Sequence, residues 1–264
     1  MKPIALYWSG GGTTASNYGD SLSPYIVERL SGKHVVFARP HRADLIAIGS
    51  ILEKAARSPW KHYLSLRRTA LGVWGTGAIR DIKGKLPNFI SIASIRGPLT
   101  RDMLDLDAKM PLGDPALLLR DILPVHGKQF RLGIVPHVSD WDAPAVHHLQ
   151  ASVPRSIVID LRNPDLDRIT RDIASSDVIV SSSLHGLIVA DSYSVPNVRI
   201  TFRNRLNGGS RKFIDYGASV GRFIEEAEVS DGFDVLESKA ACASRQIIDM
   251  RIADCLAAAK TLAI

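Results

Sequence analysis

The sequence predicts an α/β protein made of two similar halves. Short apolar runs rich in β-branched residues alternate with segments of helical periodicity along the whole chain. Several of these runs are continuously apolar, which is typical of strands in a parallel sheet that helices cover on both faces. A polar link that contains Pro124 and Gly127 interrupts the alternation near the middle, and a new strand pattern starts at Arg131.

Nine strands are expected from the apolar runs. Five lie in the first half: Ile4–Trp8, His34–Phe37, Leu45–Ile48, Leu71–Trp74 and Phe89–Ala93. Four lie in the second half: Arg131–Val135, Ser156–Ile159, Val178–Ser181 and Asn197–Thr201. Helical periodicity between the strands is clearest in three segments: Leu22–Leu30, Gly97–Leu104 and Leu166–Ser175.

The boundary between the halves is predicted in the segment from Asp121 to Lys128, since a polar stretch with Pro and Gly is typical of a linker. We therefore predict a Rossmann-like domain over residues 1–125 and a second one over residues 129–234. The Ala-rich tail, residues 235–264, predicts one long amphipathic helix that packs across the junction.

Composition excludes several classes of protein. Hydrophobic residues make up 45% of the chain, which is too many for a predominantly disordered protein. No apolar stretch approaches the ~20 residues of a membrane-spanning helix, and the first residues do not resemble a signal peptide. The net charge is +6, but the basic residues alternate with acids and carry no nucleic-acid-binding signature. We expect attraction to an anionic small molecule or membrane surface, and no nucleic-acid partner.

The two cysteines predict neither a disulfide nor a metal site. Cys242 and Cys255 both fall in the tail, on different faces of the predicted helix, so they cannot bridge within it. They are expected to be small hydrophobic residues of a reduced, cytoplasmic protein. No spacing of Cys or His fits a metal site, so no metal is expected.

Ligands of open α/β sheets bind beyond the carboxyl ends of the strands, so the candidate site residues are those that follow strands. After the first strand come Gly11 and Gly12, then Asn17 and Asp20. Glycine backbone N–H groups at a helix start can approach a phosphate or carboxylate. The alternative is a flexible turn with Asp20 as a helix N-cap. The spacing matches neither a dinucleotide-binding loop nor a P-loop.

A second candidate is Arg96, at the end of the fifth strand and just before a Gly-Pro helix start. A guanidinium there is suited to clamp an anion through two hydrogen bonds, and a surface salt bridge is the alternative. The turn at Gly113-Asp114-Pro115 is interpreted as structural, with Asp114 as a cap and Pro115 in the first turn of the next helix.

The segment after the buried strand Val178–Ser181 gives the sharpest signal. Ser183, Leu184 and His185 follow it and open an apolar helix, so hydroxyl and N–H groups surround a side chain that titrates near neutral pH. We interpret His185 as a catalytic acid or base, and the alternative is a histidine packed in the core.

A basic loop after the last strand of the second half contains Arg203, Arg211 and Lys212. Such cations suit a phosphate or another anionic group, and a solvated loop is the alternative. His137 and Asp140, after the strand Arg131–Val135, are expected to line the same cleft, unless His137 only caps a turn.

Seven motifs in this order resemble the polysaccharide pyruvyl transferase family. They are the glycine loop with Asn17-Tyr18-Gly19-Asp20, Trp74-Gly75-Thr76-Gly77, Arg96-Gly97-Pro98-Leu99-Thr100, Gly113-Asp114-Pro115-Ala116-Leu117-Leu118, Pro136-His137 through Asp140, Ser182-Ser183-Leu184-His185-Gly186-Leu187-Ile188 and Lys212-Phe213-Ile214-Asp215-Tyr216. They extend from about Tyr7 to Tyr216 and are most similar to the bacterial exopolysaccharide branch, the succinoglycan-type enzymes.

The resemblance implies two Rossmann-like domains in a glycosyltransferase-B-like arrangement, with the site in the cleft between them. It also implies phosphoenolpyruvate as donor, a sugar as acceptor and a cyclic pyruvate ketal as product, with no further cofactor. Some family members have an arginine before the leucine–histidine pair, where this chain has Ser183. The donor is then expected to use other cations: Arg96, Arg203, Arg211 or Lys212.

In this interpretation His185 is the general acid or base, and Asp20 is a base or an orienting group for the acceptor hydroxyl. Ser183 and Leu184 join the cations in binding the donor, whereas Gly11, Gly12, Asn17, His137 and Asp140 line the acceptor side. The family also implies a lipid-linked acceptor at the cytoplasmic membrane face, with peripheral membrane association. Two alternatives are a nucleotide-sugar glycosyltransferase and a non-catalytic module that binds carbohydrates or anions.

Overall fold

The computed structural model describes residues 2–11, 17–56, 69–82, 85–203, 209–228 and 230–264. Within these ranges the chain forms two five-stranded sheets. Every paired strand in them is parallel to its neighbour. The α/β fold class is therefore confirmed.

The first sheet contains β1 (Ile4–Tyr7), β2 (Val35–Phe37), β3 (Leu45–Ile46), β4 (Leu71–Trp74) and β5 (Ile90–Ser94), in the order β2-β1-β3-β4-β5. The helices described in this half are α1 (Tyr18–Ser31), α2 (Leu52–Ala56), α3 (Pro98–Met103) and α4 (Leu119–Ile122), with 3₁₀ turns at Pro40–Arg42 and Pro115–Leu118.

The second sheet contains β6 (Phe130–Val135), β7 (Ser156–Val158), β8 (Ser176–Ser181), β9 (Asn197–Ile200) and β10 (Glu226–Ala227), in the order β10-β9-β8-β6-β7. The helices that follow β6 are α5 (Pro144–Ser152), α6 (Leu166–Ala174), α7 (Leu184–Ser192), α8 (Arg211–Ser219), α9 (Phe233–Lys239) and α10 (Arg245–Thr261).

The two sheets have the same strand order. Counted within each half, it is 2-1-3-4-5, and the direction of the crossovers reverses between the first and third strands. In the first half this reversal lies between β1 and β3, and in the second half between β6 and β8. At such a point the connections leave a crevice beyond the carboxyl ends of the strands, where ligands bind in open α/β sheets.

The halves pack on each other through α1, α6 and α7. The Tyr18 hydroxyl of α1 is 2.7 Å from Oγ1 of Thr170, and the Tyr25 hydroxyl donates to Asp167 at 2.6 Å. Ser192 Oγ of α7 donates to the Leu117 carbonyl at 2.8 Å. Buried apolar residues from both sheets form one continuous cluster around these helices, which fixes the position of the two strand-end edges.

The tail is two helices, so the prediction of one long helix is wrong. The chain leaves helical geometry after α9 because Ala241 pairs with Asn197 at the start of β9, with N···O distances of 2.9 and 3.1 Å. Helix α9 packs beside β9, and α10 packs on β4 and β5 of the first sheet. Trp74 Nε1 donates to the carbonyl of Cys255 in α10 at 2.9 Å, so the last helix packs on the first half.

Smaller differences from the predicted elements follow from local chemistry. Strand β10 was missed because Glu226-Ala227 has no apolar run. Cys242 lies exposed between the tail helices, while Cys255 is buried in α10, so the two do not share a helix. No helix in the described ranges is both long and apolar enough to cross a bilayer.

Candidate active site

A cavity of about 220 Å³ lies between the two strand-end edges. The first half lines it with Ser9, Asn17, Asp20, Gly49, Ser50, Ile51, Lys54 and Ile79, and the second half with His137, Ser183, Leu184, His185 and Lys212. These residues follow β1, β3 and β4 in one sheet and β6, β8 and β9 in the other. The cavity is therefore where the two topological reversal points face each other.

His185 lies in the first turn of α7, immediately after β8. The turn is held by Ser181, whose Oγ donates to the Val135 carbonyl at 3.0 Å and accepts from the Ser183 N–H at 3.0 Å. A Cβ at Gly186 would overlap Ser181 Oγ, so the glycine lets the helix start close to the strand. The result is an imidazole beside the N-terminal N–H groups of α7, which favour an anion.

The His185 imidazole is neutral at pH 7. Burial lowers its pKa to about 3, and the charges of Arg96, Lys212 and His137 act in the same direction. Its Nε2 is buried and has no hydrogen-bond partner among the described residues. The Nδ1 edge lies against Gly19 of α1, where any Cβ would overlap the ring. His185 is thus held between the halves with one nitrogen unsatisfied.

Asp20 supplies a carboxylate from the first half. It lies in the first turn of α1, whose N-cap is Asn17, so the alternative of Asp20 as the N-cap is wrong. Asn17 Nδ2 donates to Asp20 Oδ2 at 3.1 Å. Burial raises the pKa of Asp20 to about 6, against the opposing charges of Lys54 and Lys212. Asp20 therefore exchanges its proton close to neutral pH.

Lys212 supplies a cation from α8. The pKa of its ammonium is lowered to about 8, mainly by burial and also by Arg96 and Arg199, against the opposing charges of Asp20 and Asp140. Its Nζ lies 5.2 Å from the centre of the Phe213 ring. Lys212 is still mostly protonated at pH 7, and an anion in the cavity would be held beside it.

His137 is the second imidazole of the cavity. Its Nδ1 is 2.8 Å from Ser139 Oγ and 3.3 Å from the Ser139 N–H. Asp140 is buried behind this turn and accepts from Ser182 Oγ at 2.7 Å. Burial lowers the pKa of His137, with Lys212 as a further cause. Asp140 therefore positions the turn, whereas His137 itself lines the cavity.

Arg96 is completely buried beside the cavity and does not line it. Its Nη2 forms an ion pair with Asp215 Oδ2 of α8 at 3.1 Å, and its Nη1 donates to Ser50 Oγ at 2.5 Å. The surface salt bridge considered as its alternative is wrong, because both members of the pair are inaccessible. Arg96 brings its charge to the site from behind Ser50.

The other predicted cations lie away from the cavity. Arg203 forms an ion pair with Asp142 at 2.9 Å, and Arg211 forms one with Asp81 across the two halves. Gly11 packs against the Phe37 ring and does not line the cavity, and Gly12 lies outside the described residues. The structure therefore brings together His185, Asp20, Ser183, Leu184, Lys212, Asn17 and His137.

A larger groove, of about 1040 Å³, lies elsewhere in the second half, between α5 and α9. Two arginines line it, and both have partners: Arg131 lies over the Phe233 ring, and Arg155 donates to the carbonyl of Gln129. The groove is at the edge of the sheet where β6 starts, opposite the strand ends that carry the titratable cluster. We therefore place the candidate active site in the smaller cavity.

Residues 4–204 match the family model described as polysaccharide pyruvyl transferase. The chain belongs to the polysaccharide pyruvyl transferase family.

Two relatives and one solved structure are similar to this family member. The succinoglycan biosynthesis protein ExoV of Rhizobium meliloti is 26% identical over 226 residues, which are 84% of this chain and 65% of that protein. This chain thus spans less than two thirds of that relative. An uncharacterized protein of Acanthamoeba polyphaga mimivirus is 29% identical over 219 residues, 76% of this chain and 69% of that protein. A crystal structure of a functionally uncharacterized Klebsiella pneumoniae protein has a TM-score of 0.44 at 12% identity and covers 85% of this chain and 93% of that one.

Sequence reasoning missed the cavity residues that follow β3. Gly49 and Ser50 line the cavity, as does Lys54 in α2. A signal was available, because small residues directly follow the predicted strand Leu45–Ile48, and the end of a strand at a reversal point is where ligands bind. The strand order that makes β3 such a strand is visible only in the fold.

Proposed function

We propose that this member of the family transfers the pyruvyl group of phosphoenolpyruvate to a sugar and closes a cyclic pyruvate ketal. The proposal rests on one observation: His185 and Lys212 of the second half lie across a small cavity from Asp20 of the first half. A volume of about 220 Å³ is roughly seven times the ≈30 Å³ share of a liquid water, which suits a small phosphorylated acid.

The donor would be held at the second half. Its anionic groups would accept from the first-turn N–H groups of α7 at Leu184 and His185, and would pair with Lys212. Ser183 offers a hydroxyl at the position where some other family members have an arginine. Arg96 adds positive charge from behind. Burying so anionic a molecule requires this concentration of donors and cations.

The reaction can be written so that atoms and charge balance. A proton adds to the methylene carbon of phosphoenolpyruvate, and an oxocarbenium-like centre forms at the neighbouring carbon. A sugar hydroxyl attacks this centre and loses its proton. The carbon–oxygen bond to phosphate then breaks, and a second hydroxyl attacks and loses its proton. Of the two protons released, one replaces the proton added to carbon and the other leaves on hydrogen phosphate.

We assign the proton transfer to carbon to His185. Burial is the largest cause of the low pKa of its imidazole, and the charges of Arg96 and Lys212 lower it further, so the negative charges of a bound donor would offset these two charges and raise the pKa. We propose that the acid form arises with the donor in place. We assign to Asp20 the removal of the proton from the acceptor hydroxyl. Its pKa of about 6 leaves the carboxylate mostly ionised at pH 7 and able to accept a proton.

The steps move protons and no net electrons, so the proposal includes no redox cofactor. The name of the Rhizobium meliloti relative links it to succinoglycan biosynthesis, and we propose an exopolysaccharide sugar or its lipid-linked precursor as the acceptor here. The net charge of +6 fits peripheral contact with an anionic cytoplasmic membrane face, which we propose as the place of action. We also propose a glycosyltransferase-B-like arrangement for the two halves.

A nucleotide-sugar glycosyltransferase is the main competing function. It would need room for a base and a ribose, whereas the cavity is smaller than the roughly 300–1,000 Å³ of sites for drug-sized ligands. A non-catalytic binding module is the other, but the titratable groups on both sides of the cavity favour chemistry.

Incubation with phosphoenolpyruvate and candidate lipid-linked oligosaccharides, followed by mass spectrometry, tests the proposal. We expect a product heavier by one ketal-linked pyruvyl group, and one phosphate released for each product formed. Release of phosphate with no change in the saccharide would contradict the transfer. Ligand binding without phosphate release for any acceptor would favour the binding module.

A further inference from the structure

We propose that Ser50 is a donor-binding residue and that Arg96 and Asp215 are the positioning residues that orient its hydroxyl. The inference rests on the proposed function, and it concerns how the anionic donor is held on the first half. None of the three was placed in this arrangement by the sequence, because they lie in three distant parts of the chain.

The hydrogen-bonding roles at Ser50 follow from chemistry. A guanidinium can only donate, so Ser50 Oγ is the acceptor of the 2.5 Å hydrogen bond from Arg96 Nη1. A hydroxyl also has one proton to donate, and within the described ranges the Ser50 hydroxyl donates to no residue. Ser50 lines the cavity. Its O–H is therefore available to an anion there, and the bond from the charged guanidinium strengthens it as a donor.

Contacts at the Nη groups orient Arg96 in this role, while its Nε has no hydrogen-bond partner among the described residues. Asp215 Oδ2 pairs with its Nη2 at 3.1 Å, and both side chains are at most 1% exposed. Thr100 holds the carboxylate, with its N–H 3.0 Å from Oδ1 and its hydroxyl 2.8 Å from Oδ2. Gly77 lies flat on the guanidinium, where a Cβ would overlap it. The ion pair with Asp215 at Nη2 leaves Nη1 of Arg96 directed at Ser50.

Asp215 also connects Arg96 and Ser50 of the first half to α8 of the second half. It lies on α8, as does Lys212, while Arg96 and Ser50 follow strands of the first sheet. The backbone of Asp215 touches Gly97, where a Cβ would overlap its carbonyl. The packing of α8 on the first half therefore places two hydrogen-bond donors beside the same anion. They are the Lys212 ammonium and the Ser50 hydroxyl.

The test is a double-mutant cycle on anion binding, measured by isothermal titration with phosphoenolpyruvate and with inorganic phosphate. Ser50→Ala should weaken the Kd of both by about 10-fold or more, the scale of a lost hydrogen bond to a charged group. Ser50→Thr, which keeps the hydroxyl, should restore most of the affinity.

Asp215→Asn separates positioning from simple electrostatics. Removing a negative charge near an anion site would tighten binding if charge alone mattered, whereas a misaligned Arg96 weakens it. We expect weakening by about 10-fold, and little additional loss when it is combined with Ser50→Ala, because both changes remove the same contact. Asp81→Asn is the matched control: it removes another carboxylate that pairs across the halves with an arginine of α8, and it should keep the Kd within about two-fold.

Several results would overturn the proposal: wild-type affinity in Ser50→Ala, tighter binding in Asp215→Asn, additive losses in the double variant, or no binding of either anion by the wild type. If Asp215→Asn fails to fold, Ser50→Ala and Ser50→Thr still decide it, since they change one hydroxyl at the cavity wall. Phosphate release is measured separately. A wild type that binds the anions and turns nothing over would defeat the proposed function and leave the positioning residues to be judged on Kd.

Discussion

The two halves share one strand order and differ in the chemistry at their strand ends. In the first half, most cavity residues after β1 and β3 are small or polar, and they include the Asp20 carboxylate and the Ser50 hydroxyl. In the second half, the residues after β6 and β8 include both imidazoles, and α8 adds Lys212. The same scaffold thus presents the Asp20 carboxylate and Lys54 on one side, and two imidazoles with Lys212 on the other.

The comparison teaches that function here resides in strand-end residues and not in the topology. Two copies of a 2-1-3-4-5 sheet provide two crevices, and their facing arrangement turns these into one cavity. Each half alone holds only part of the proposed chemistry. Substitutions in each half should therefore affect different steps of the reaction.

Removal of the His185 imidazole, the proposed acid of the second half, should cause the largest loss of activity. His185→Ala should lower phosphate release by roughly 10²–10⁴, the usual contribution of a general acid or base. Circular dichroism should show the fold retained. His147→Ala, which changes an exposed histidine of α5, is the control. Activity of His185→Ala within a few-fold of wild type would remove His185 from the mechanism.

Removing the carboxylate of the first half should affect turnover but spare donor binding. Asp20→Asn should lower kcat by about 10² while the Kd for phosphoenolpyruvate stays near wild type. As the pKa of Asp20 is about 6, wild-type kcat should fall as the pH drops below about 6 and the carboxylate becomes protonated. Glu28→Gln, further along α1, serves as the control. An acid limb unchanged in Asp20→Asn would mean that another group is the base.

A change at the contact between the halves should misplace the acid without removing it. The Cβ of Gly19→Ala would overlap the His185 ring, so we expect kcat to fall by about 10- to 100-fold, as a displacement near 1 Å can do. Gly232→Ala, at a glycine with open space around it, should leave kcat unchanged. Equal activities of the two variants would show that the ring position is not critical.

The smallest effect is expected at Lys212, the cation of the second half. The N–H groups in the first turn of α7 also bind the phosphoenolpyruvate donor in our proposal, so they would hold it without the lysine. Lys212→Gln should raise the KM for phosphoenolpyruvate about 10-fold with less change in kcat. Wild-type binding should weaken as the pH rises above about 8, where the ammonium loses its proton. Titrations of Lys212→Gln across pH 7–9 should lack this loss, and Lys109→Gln, an exposed lysine, should keep it.

Much of the fold could be predicted because a buried parallel strand has a local signature. Leu71–Trp74 has the predicted bounds, and most other strands differ by one or two residues. Tertiary contacts decided the rest. Residues 240–244 contain neither Pro nor Gly, and the local signal is only Ser244, which caps α10. The break itself comes from the pairing of Ala241 with Asn197. The two-residue β10 exists because β9 lies beside it.

The candidate site divides in the same way. His185, Asp20 and Lys212 could be found because each follows a strand or opens a helix. The surroundings of Arg96 could not, because its partner Asp215 lies 119 residues further along the chain. Ser50 was missed for a related reason, as its hydroxyl becomes a donor toward the cavity only through Arg96.

The most direct test of the central claim is thermal unfolding of the wild-type protein with phosphoenolpyruvate, UDP or GDP in parallel. A ligand at a hundred times its Kd stabilises the native state by about 2.7 kcal/mol, which raises the Tm measurably for a protein of this size. We predict an increase in Tm with phosphoenolpyruvate and none with either nucleotide. An increase with UDP or GDP and none with phosphoenolpyruvate would contradict a cleft built for a small phosphorylated acid.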